Sequence, residues 1–158
     1  MEKLEFDSGI REYRIGNAGV LRFNPHDPNV YARFMDSMES IQAVQERLVA
    51  KAKTLEGEHG PENSGKAVLA IMAEADREIK AILSGIFGGD NDFDEILGGV
   101  NLLAIAGNGQ TVVANLLNAL EPVMVSGAQA CAKRQAGDAV AAAKKNRAQR
   151  RAGKRKHR

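Results

Sequence analysis

The feature that most constrains this fold is a change of hydrophobic period between residues 24 and 28. Before it, apolar residues alternate with polar ones in three short runs, centred on Leu4 and Phe6, on Tyr13 and Ile15, and on Leu21 and Phe23. The runs are separated by Asp-Ser-Gly and Gly-Asn-Ala-Gly, which are turn sequences. Period-two alternation broken by turns predicts a β-meander, or a hairpin with a lead-in strand, over residues 1–24.

Four residues form the joint at which the period changes. Pro25 fixes its own φ and biases Asn24 towards extended backbone, so the strand is expected to end there. Asp27 is typical of a helix N-cap, and Pro28 suits the first helical position because its missing amide needs no partner. We therefore interpret Asn24, Pro25, Asp27 and Pro28 as a structural joint between a strand and a helix.

Beyond the joint, apolar residues recur at steps of three and four, which is the period of a helix. The pattern predicts helices over 28–56, 62–86, 91–97 and 110–135, with a kink at Pro122 in the last. The polar face of the second helix is expected to carry Glu74, Asp76, Arg77, Glu78 and Lys80. The predicted fold class is mainly α (α+β), with a small N-terminal antiparallel β-meander or hairpin packed on a three- to four-helix bundle. One domain is expected over residues 1–125, extending to about residue 140.

The helical stripes are the candidate interaction surfaces of the chain. Only 4% of its residues are aromatic although 44% are hydrophobic, so aliphatic residues and methionine must supply both core and contacts. Methionine-rich stripes adapt readily to another helix, yet the same pattern suits the core of a monomer. The candidates for core, client contact or self-association are Met38, Ile41, Leu48, Met72, Ile79, Leu116, Leu117 and Leu120.

Charge is divided unequally along the chain. Residues 1–143 hold all 20 acidic and 13 basic residues, for a net charge of −7, whereas residues 144–158 hold nine Lys or Arg and no acid. We expect this basic tail to be disordered when free. It could bind nucleic acid by counterion release, bind an acidic partner, or simply remain solvated. The candidate residues are Lys144, Lys145, Arg147, Arg150, Arg151, Lys154, Arg155, Lys156 and Arg158.

The sequence offers little for catalysis, so we predict no catalytic residue, no metal and no cofactor. The three histidines are scattered, and neither the single cysteine, Cys131, nor any serine stands in a nucleophile motif. The acidic cluster at residues 90–95 lacks the ligand spacing of a calcium loop and is better interpreted as a helix start. No apolar run reaches the roughly 20 residues that a spanning helix needs, so no membrane partner is expected.

Two segments resemble a known group of proteins. They are "FNPHDPNVYARF", which links the meander to the first long helix, and "IFGGDNDFDEILGGVN…NGQTVVANLLNALEPVM". Both are similar to small proteins encoded in the tail-gene region of siphophages and prophages of Gram-positive bacteria, regarded as tail assembly chaperones. The resemblance covers roughly residues 5–125, and none of its motifs is catalytic.

The resemblance implies a non-enzymatic function. Such chaperones bind the hydrophobic tape-measure protein, keep it soluble, and assist tail-tube subunits in polymerising around it. They act in the host cytoplasm, are absent from the mature virion, and are expected here to self-associate. The family often makes a longer product by ribosomal frameshifting, for which Ala143–Lys145 is a candidate position. The alternatives are a nucleic-acid-associated protein anchored by its basic tail, or a minor structural tail component.

Overall fold

The computed structural model describes residues 1–17 and 19–156 of the chain. Two strands come first, followed by four helices. They are β1 (Arg11–Ile15), β2 (Gly19–Phe23), α1 (Pro28–His59), α2 (Gly65–Phe87), α3 (Phe93–Ile96) and α4 (Val112–Lys156). The mainly α (α+β) fold class is thereby confirmed, with an antiparallel hairpin at the N-terminal end of a helical body.

The sheet is a two-stranded hairpin and not a three-stranded meander. Tyr13 lies opposite Leu21 in the antiparallel register of β1 and β2. Residues 1–10, which hold the first alternating run, form no strand. The chain turns at Gly9, where φ is 71°, and the side-chain amide of Asn24 donates a hydrogen bond to the carbonyl oxygen of Ser8. Residues 1–10 are exposed.

The joint between β2 and α1 follows from local chemistry. Asp27 has extended backbone, with φ of −80° and ψ of 113°, and its carboxylate accepts a hydrogen bond from the amide of Asn29 at 2.8 Å. Pro28 is the first residue of α1. Asn24 also accepts a hydrogen bond from the amide of His26, which tightens the corner. An N-cap of this kind stabilises a helix by about 1 kcal/mol.

A row of aromatic rings fixes the hairpin to the helices. Tyr13 stacks on Phe23 with ring centroids 4.9 Å apart, and Phe23 meets Phe87 at the end of α2 edge-on at 4.9 Å. Phe87 in turn lies 5.8 Å from Phe93 at the start of α3. Because aromatic pairs add stabilisation beyond the area that they bury, this row joins β1, β2, α2 and α3 into one unit.

The main core lies between α1 and α2, which pack against each other along most of α2. Their buried apolar residues are Val30, Phe34, Ile41 and Val44 from α1 and Ala75, Ile79, Leu83, Ile86 and Phe87 from α2. At the N-terminal end of α1, Arg33 donates a hydrogen bond from Nε to the carbonyl oxygen of Ile86. The loop after α3 adds Leu102 and Leu103 to the same core.

The expectation that Asp76 and Lys80 lie on a solvated face is wrong. They are only 8% and 6% exposed, and the ammonium of Lys80 lies 2.8 Å from Asp76 and 2.6 Å from Asp94. The other oxygen of Asp76 accepts a hydrogen bond from the amide of Leu102 at 2.7 Å. Burial disfavours the charge of Lys80, but the hydrogen bonds and charges of the two carboxylates outweigh it, so the pKa of Lys80 is raised. The group ties α2 to α3 and to the loop that follows.

Helix α4 is much longer than the predicted 110–135. It runs from Val112 to Lys156, and residues 132–155 are exposed throughout. The predicted disorder of residues 144–158 is therefore corrected for its described part, while Arg158 lies outside the described residues. Alanine, lysine, arginine and glutamine favour helix, and no proline follows Pro122. The helix accordingly continues after its last packing contact.

A glycine allows α4 to pass close to the joint. Gly127 is buried, and a Cβ atom added to it would overlap the carbonyl oxygen of Pro25. Only glycine lets the two backbones approach so closely. Near the other end of the packed segment, the hydroxyl of Thr111 accepts a hydrogen bond from the amide of Ala114.

None of the helices described here combines the length and the hydropathy required to cross a lipid bilayer.

Candidate functional site: an open groove between α1 and α4

The candidate site is a groove of about 300 Å³ between α1 and the first turns of α4. Its floor is formed by Phe34 and Val113, which are 2% and 1% exposed. Its walls include Met35, Met38 and Leu117, and Met35 remains 47% exposed. The groove therefore presents flexible apolar side chains to solvent above a closed aliphatic and aromatic floor. We refer to it as the α1–α4 groove.

The rim of the groove is polar. Gln45, Asn118 and Glu121 line it from the two helices. An apolar centre with a polar rim is the arrangement found at protein-binding surfaces. The rim supplies one carboxylate and two amides, which can orient a ligand through hydrogen bonds.

The groove continues along α1 as a second, shallower depression. Gln45 borders both, and the second is lined further by Gln42, Val49, Lys53 and their neighbours on the same face. Val49 is 53% exposed. From Met35 to Lys53 the two depressions extend over about 27 Å at 1.5 Å per residue. That length matches about 18 residues of a helix laid alongside.

The opening exists because α4 covers only part of α1. The two helices run antiparallel: Val113 shares the groove with residues 34–45 of α1, whereas Gly127 lies at Pro25, before α1 begins. α4 starts at Val112, so the C-terminal half of α1 extends past it. This half of α1 faces α2, where Arg47 lies 2.9 Å from Glu78. The hydrogen bond to Glu78 and the charge of its carboxylate raise the pKa of Arg47.

The eight predicted stripe residues divide into two groups. Ile41, Ile79, Leu116 and Leu120 are buried in the core. Met38, Leu48, Met72 and Leu117 are partly buried and pack against that core. The groove brings together Met38 and Leu117, which lie on helices far apart in sequence. Leu48 lies between α1 and α2.

Two exposed groove residues lie outside the eight candidates, although Met35 is one of the methionines of the helical stripes. Met35 precedes Met38 by three positions, and Val49 follows Gln45 by four, so both lie on the α1 face that is open. A helical wheel centred on Met38 would have included them. Apart from Met38, the α1 candidates follow residues that are buried in the core, such as Ile41, or that lie against α2, such as Leu48.

The basic candidates lie on the exposed continuation of α4. Lys144, Lys145, Arg147, Arg150, Arg151, Lys154 and Arg155 are all exposed, and Lys156 ends the helix. They are at least 13 residues beyond Cys131, which is the last partly buried residue of α4 up to Arg155. The structure therefore keeps the basic candidates apart from the groove.

A metal site would need a cluster of ligating side chains within the described residues. Across residues 1–17 and 19–156, no three His, Cys, Asp or Glu side chains come together in a way that could hold a metal ion. No protein-family model, curated protein or solved structure matches this chain. The α1–α4 groove can bury apolar surface of a partner, and the end of α4 carries a dense positive charge.

Proposed function

We propose that this protein is a non-enzymatic chaperone that binds an amphipathic helix of a client protein in the α1–α4 groove. The observation that carries the proposal is the pair Met38 and Leu117, partly exposed above the buried Phe34 and Val113. Helix-in-groove binding uses an apolar face with anchors at steps of three and four residues. Methionine suits a groove that must accept many segments of a long client, because its side chain adapts to different shapes.

The client that we propose is a phage tape-measure protein. The support is the resemblance of residues 5–125 to siphophage tail assembly chaperones, together with the length of the groove. Tape-measure proteins are long, amphipathic helical chains that aggregate until they are enclosed, so many copies of a weak binder along one client would hold it in solution. Tail-tube subunits would then displace the chaperone by competing for the same apolar surface. On this proposal the protein self-associates, acts in the host cytoplasm, and is absent from the mature virion.

The test is binding and solubility of a tape-measure segment. A fluorescently labelled peptide of about 18 residues, taken from an amphipathic stretch of a siphophage tape-measure protein, is titrated with full-length protein. Met38→Lys with Leu117→Lys places two charges in the groove, and we expect at least a tenfold loss of affinity together with loss of client solubility on co-expression. Leu69→Lys is the control, since Leu69 is 67% exposed on α2 outside the groove.

A second variant separates binding from folding. Met35 is 47% exposed, so Met35→Lys should leave thermal unfolding unchanged while lowering the affinity for the peptide at least threefold. If all three groove substitutions leave peptide affinity and client solubility at the level of Leu69→Lys, the groove is not the client site and the proposal fails.

A further inference from the structure

The exposed end of α4 is a free-standing helix. Residues 132–155 contact no other element closely enough to be buried, and the segment from Cys131 to Lys156 corresponds to about 37 Å of helix. We call residues 132–156 the α4 arm. A single helix is about 10–12 Å across, which is close to the width of the major groove of B-form DNA, about 12 Å.

The positive charge at the end of the arm is dense, and half of it lies on one face of the helix. Residues 144–156 hold eight Lys or Arg and no acid, which is about one charge per 2.3 Å of helix. Lys144, Arg147, Arg151 and Lys154 follow one another at steps of three, four and three, so they share a face. Double-stranded DNA carries about one phosphate charge per 1.7 Å of its axis. The two charge densities are therefore of the same order.

The arm also keeps this charge away from the acidic body. The alanine-rich stretch before Lys144 places the first basic residue of that face about 20 Å beyond Cys131. At physiological ionic strength the Debye length is about 8 Å, so the negative charges of the body neither neutralise the arm nor repel a polyanion bound there.

The side chains of the arm favour a nucleic acid over an acidic protein. In the sequence from Ala132 to Lys156 a single apolar residue, Val140, is larger than alanine, so a protein partner would find no cluster of apolar anchors. Binding to the phosphates of a nucleic acid needs no apolar anchor, because the free energy of that binding comes from counterion release. The same stretch contains no aromatic residue on which an unpaired base could stack, which favours a duplex over a single strand.

We propose that the α4 arm binds double-stranded DNA through its phosphates, without sequence preference. This inference does not depend on the chaperone function, since the arm and the α1–α4 groove share no residue. On this proposal the protein has two binding sites on α4. The N-terminal end of α4 lines the apolar groove, and the C-terminal end binds DNA.

The test is fluorescence anisotropy of a labelled 20-base-pair DNA duplex with the full-length protein between 50 and 200 mM NaCl. We expect the logarithm of the association constant to fall linearly with the logarithm of the salt concentration, with a slope of about −4 to −7. Replacing Lys144, Arg147, Arg151 and Lys154 by Gln should reduce affinity at least tenfold and flatten the slope by about 3 to 4, since each phosphate contact contributes about 0.9.

The matched control removes four exposed cations from the body outside the groove, by Arg14→Gln, Lys51→Gln, Lys66→Gln and Arg77→Gln. This variant has the same net charge as the arm variant, and we expect less than a twofold change. Equal loss in both variants would show that only net charge matters and would overturn the proposal. It is also overturned if the wild-type protein does not bind the duplex at 50 mM NaCl. Tighter binding of poly-glutamate or of the single strand would likewise overturn it.

Discussion

The side chain of Asn91 pairs with the backbone of Arg22 in the manner of a neighbouring strand. The amide of Arg22 donates to Oδ1 of Asn91 at 2.8 Å, and Nδ2 of Asn91 donates to the carbonyl oxygen of Arg22 at 2.8 Å. Nδ2 also donates to the carbonyl oxygen of Phe87. Asn91 is 3% exposed, so one side chain satisfies the edge of β2 and the C-terminal end of α2 without contact with water.

Replacing Asn91 by Ala should lower the free energy of unfolding by about 2–3 kcal/mol. The change leaves the amide and the carbonyl of Arg22 without their partner, and an unpaired buried polar group costs about 1–3 kcal/mol. Chemical denaturation measures the effect. Asn63→Ala is the control, because Asn63 is exposed in the turn before α2, and a shift there as large as that of Asn91→Ala would contradict the pairing.

Two glycines of α4 should respond to alanine in opposite ways. Gly127→Ala brings a methyl group onto the carbonyl of Pro25 and should reduce the free energy of unfolding by about 1–3 kcal/mol. Beyond the backbone of the helix itself, the described residues place no atom within 4 Å of the Cβ position at Gly137, so Gly137→Ala should leave unfolding of the body unchanged and raise helicity in circular dichroism. If Gly127→Ala instead raises the free energy of unfolding, α4 does not pass as close to the joint as described.

Removing the ammonium of Lys80 should be among the most damaging single changes. Lys80→Met leaves Asp76 buried with only the amide of Leu102 as a partner, and breaking a buried ion pair in this way costs about 3–5 kcal/mol. Lys66→Met on the same helix is the control, because Lys66 is exposed. Thermal and urea unfolding of both variants provide the comparison, and equal stability would mean that the buried pair contributes nothing.

The raised pKa of Lys80 predicts that the free energy of unfolding depends on pH in the alkaline range. The folded pKa of Lys80 is raised above its ordinary value of 10.5, so its contribution is fully present below pH 10.5 and is lost as the pH rises through the higher folded value. The difference in unfolding free energy between wild type and Lys80→Met should be constant from pH 7 to about 10 and shrink above that. A difference that already shrinks below pH 9 would mean that the folded pKa is not raised.

Deleting residues 132–158 should leave the body intact. None of residues 132–155 is buried, so the melting temperature should change by less than about 2 °C while the helical signal falls by the contribution of the arm. Deleting from residue 121 onward provides the contrast, because it also removes Met124, which is 1% exposed, and Gly127. A large loss of stability on deleting the arm alone would show that it packs on the body in solution.

Local patterns predicted the hairpin, the joint and the four helices because their causes lie within a few residues. Alternation and turn residues define β1 and β2, and Asp27 caps α1 through an amide only two residues away. The arm was predicted to be disordered because its apolar stripe ends, but helix propensity does not require an apolar stripe.

Contacts between distant segments could not be predicted in this way. Asp76 and Lys80 were expected in water because their partners, Asp94 and the amide of Leu102, lie 14 to 26 residues away. The groove is also a product of packing, since Met38 and Leu117 meet only when α4 lies antiparallel on α1. The charge of residues 144–158 was evident from the sequence, whereas its separation from the body follows only from the helical arm.

Two points of backbone contact also suggest how distant relatives could be recognised. A Cβ atom at Gly19 would overlap the backbone of Ile96, just as one at Gly127 would overlap Pro25. Any chain that folds in the same way should keep glycine at both places, or separate β2 from α3 and α4 from the joint, however far its other residues diverge. Such a glycine pair, one in the second strand and one near the end of the packed part of the last helix, would be a signature of the architecture that overall identity does not capture.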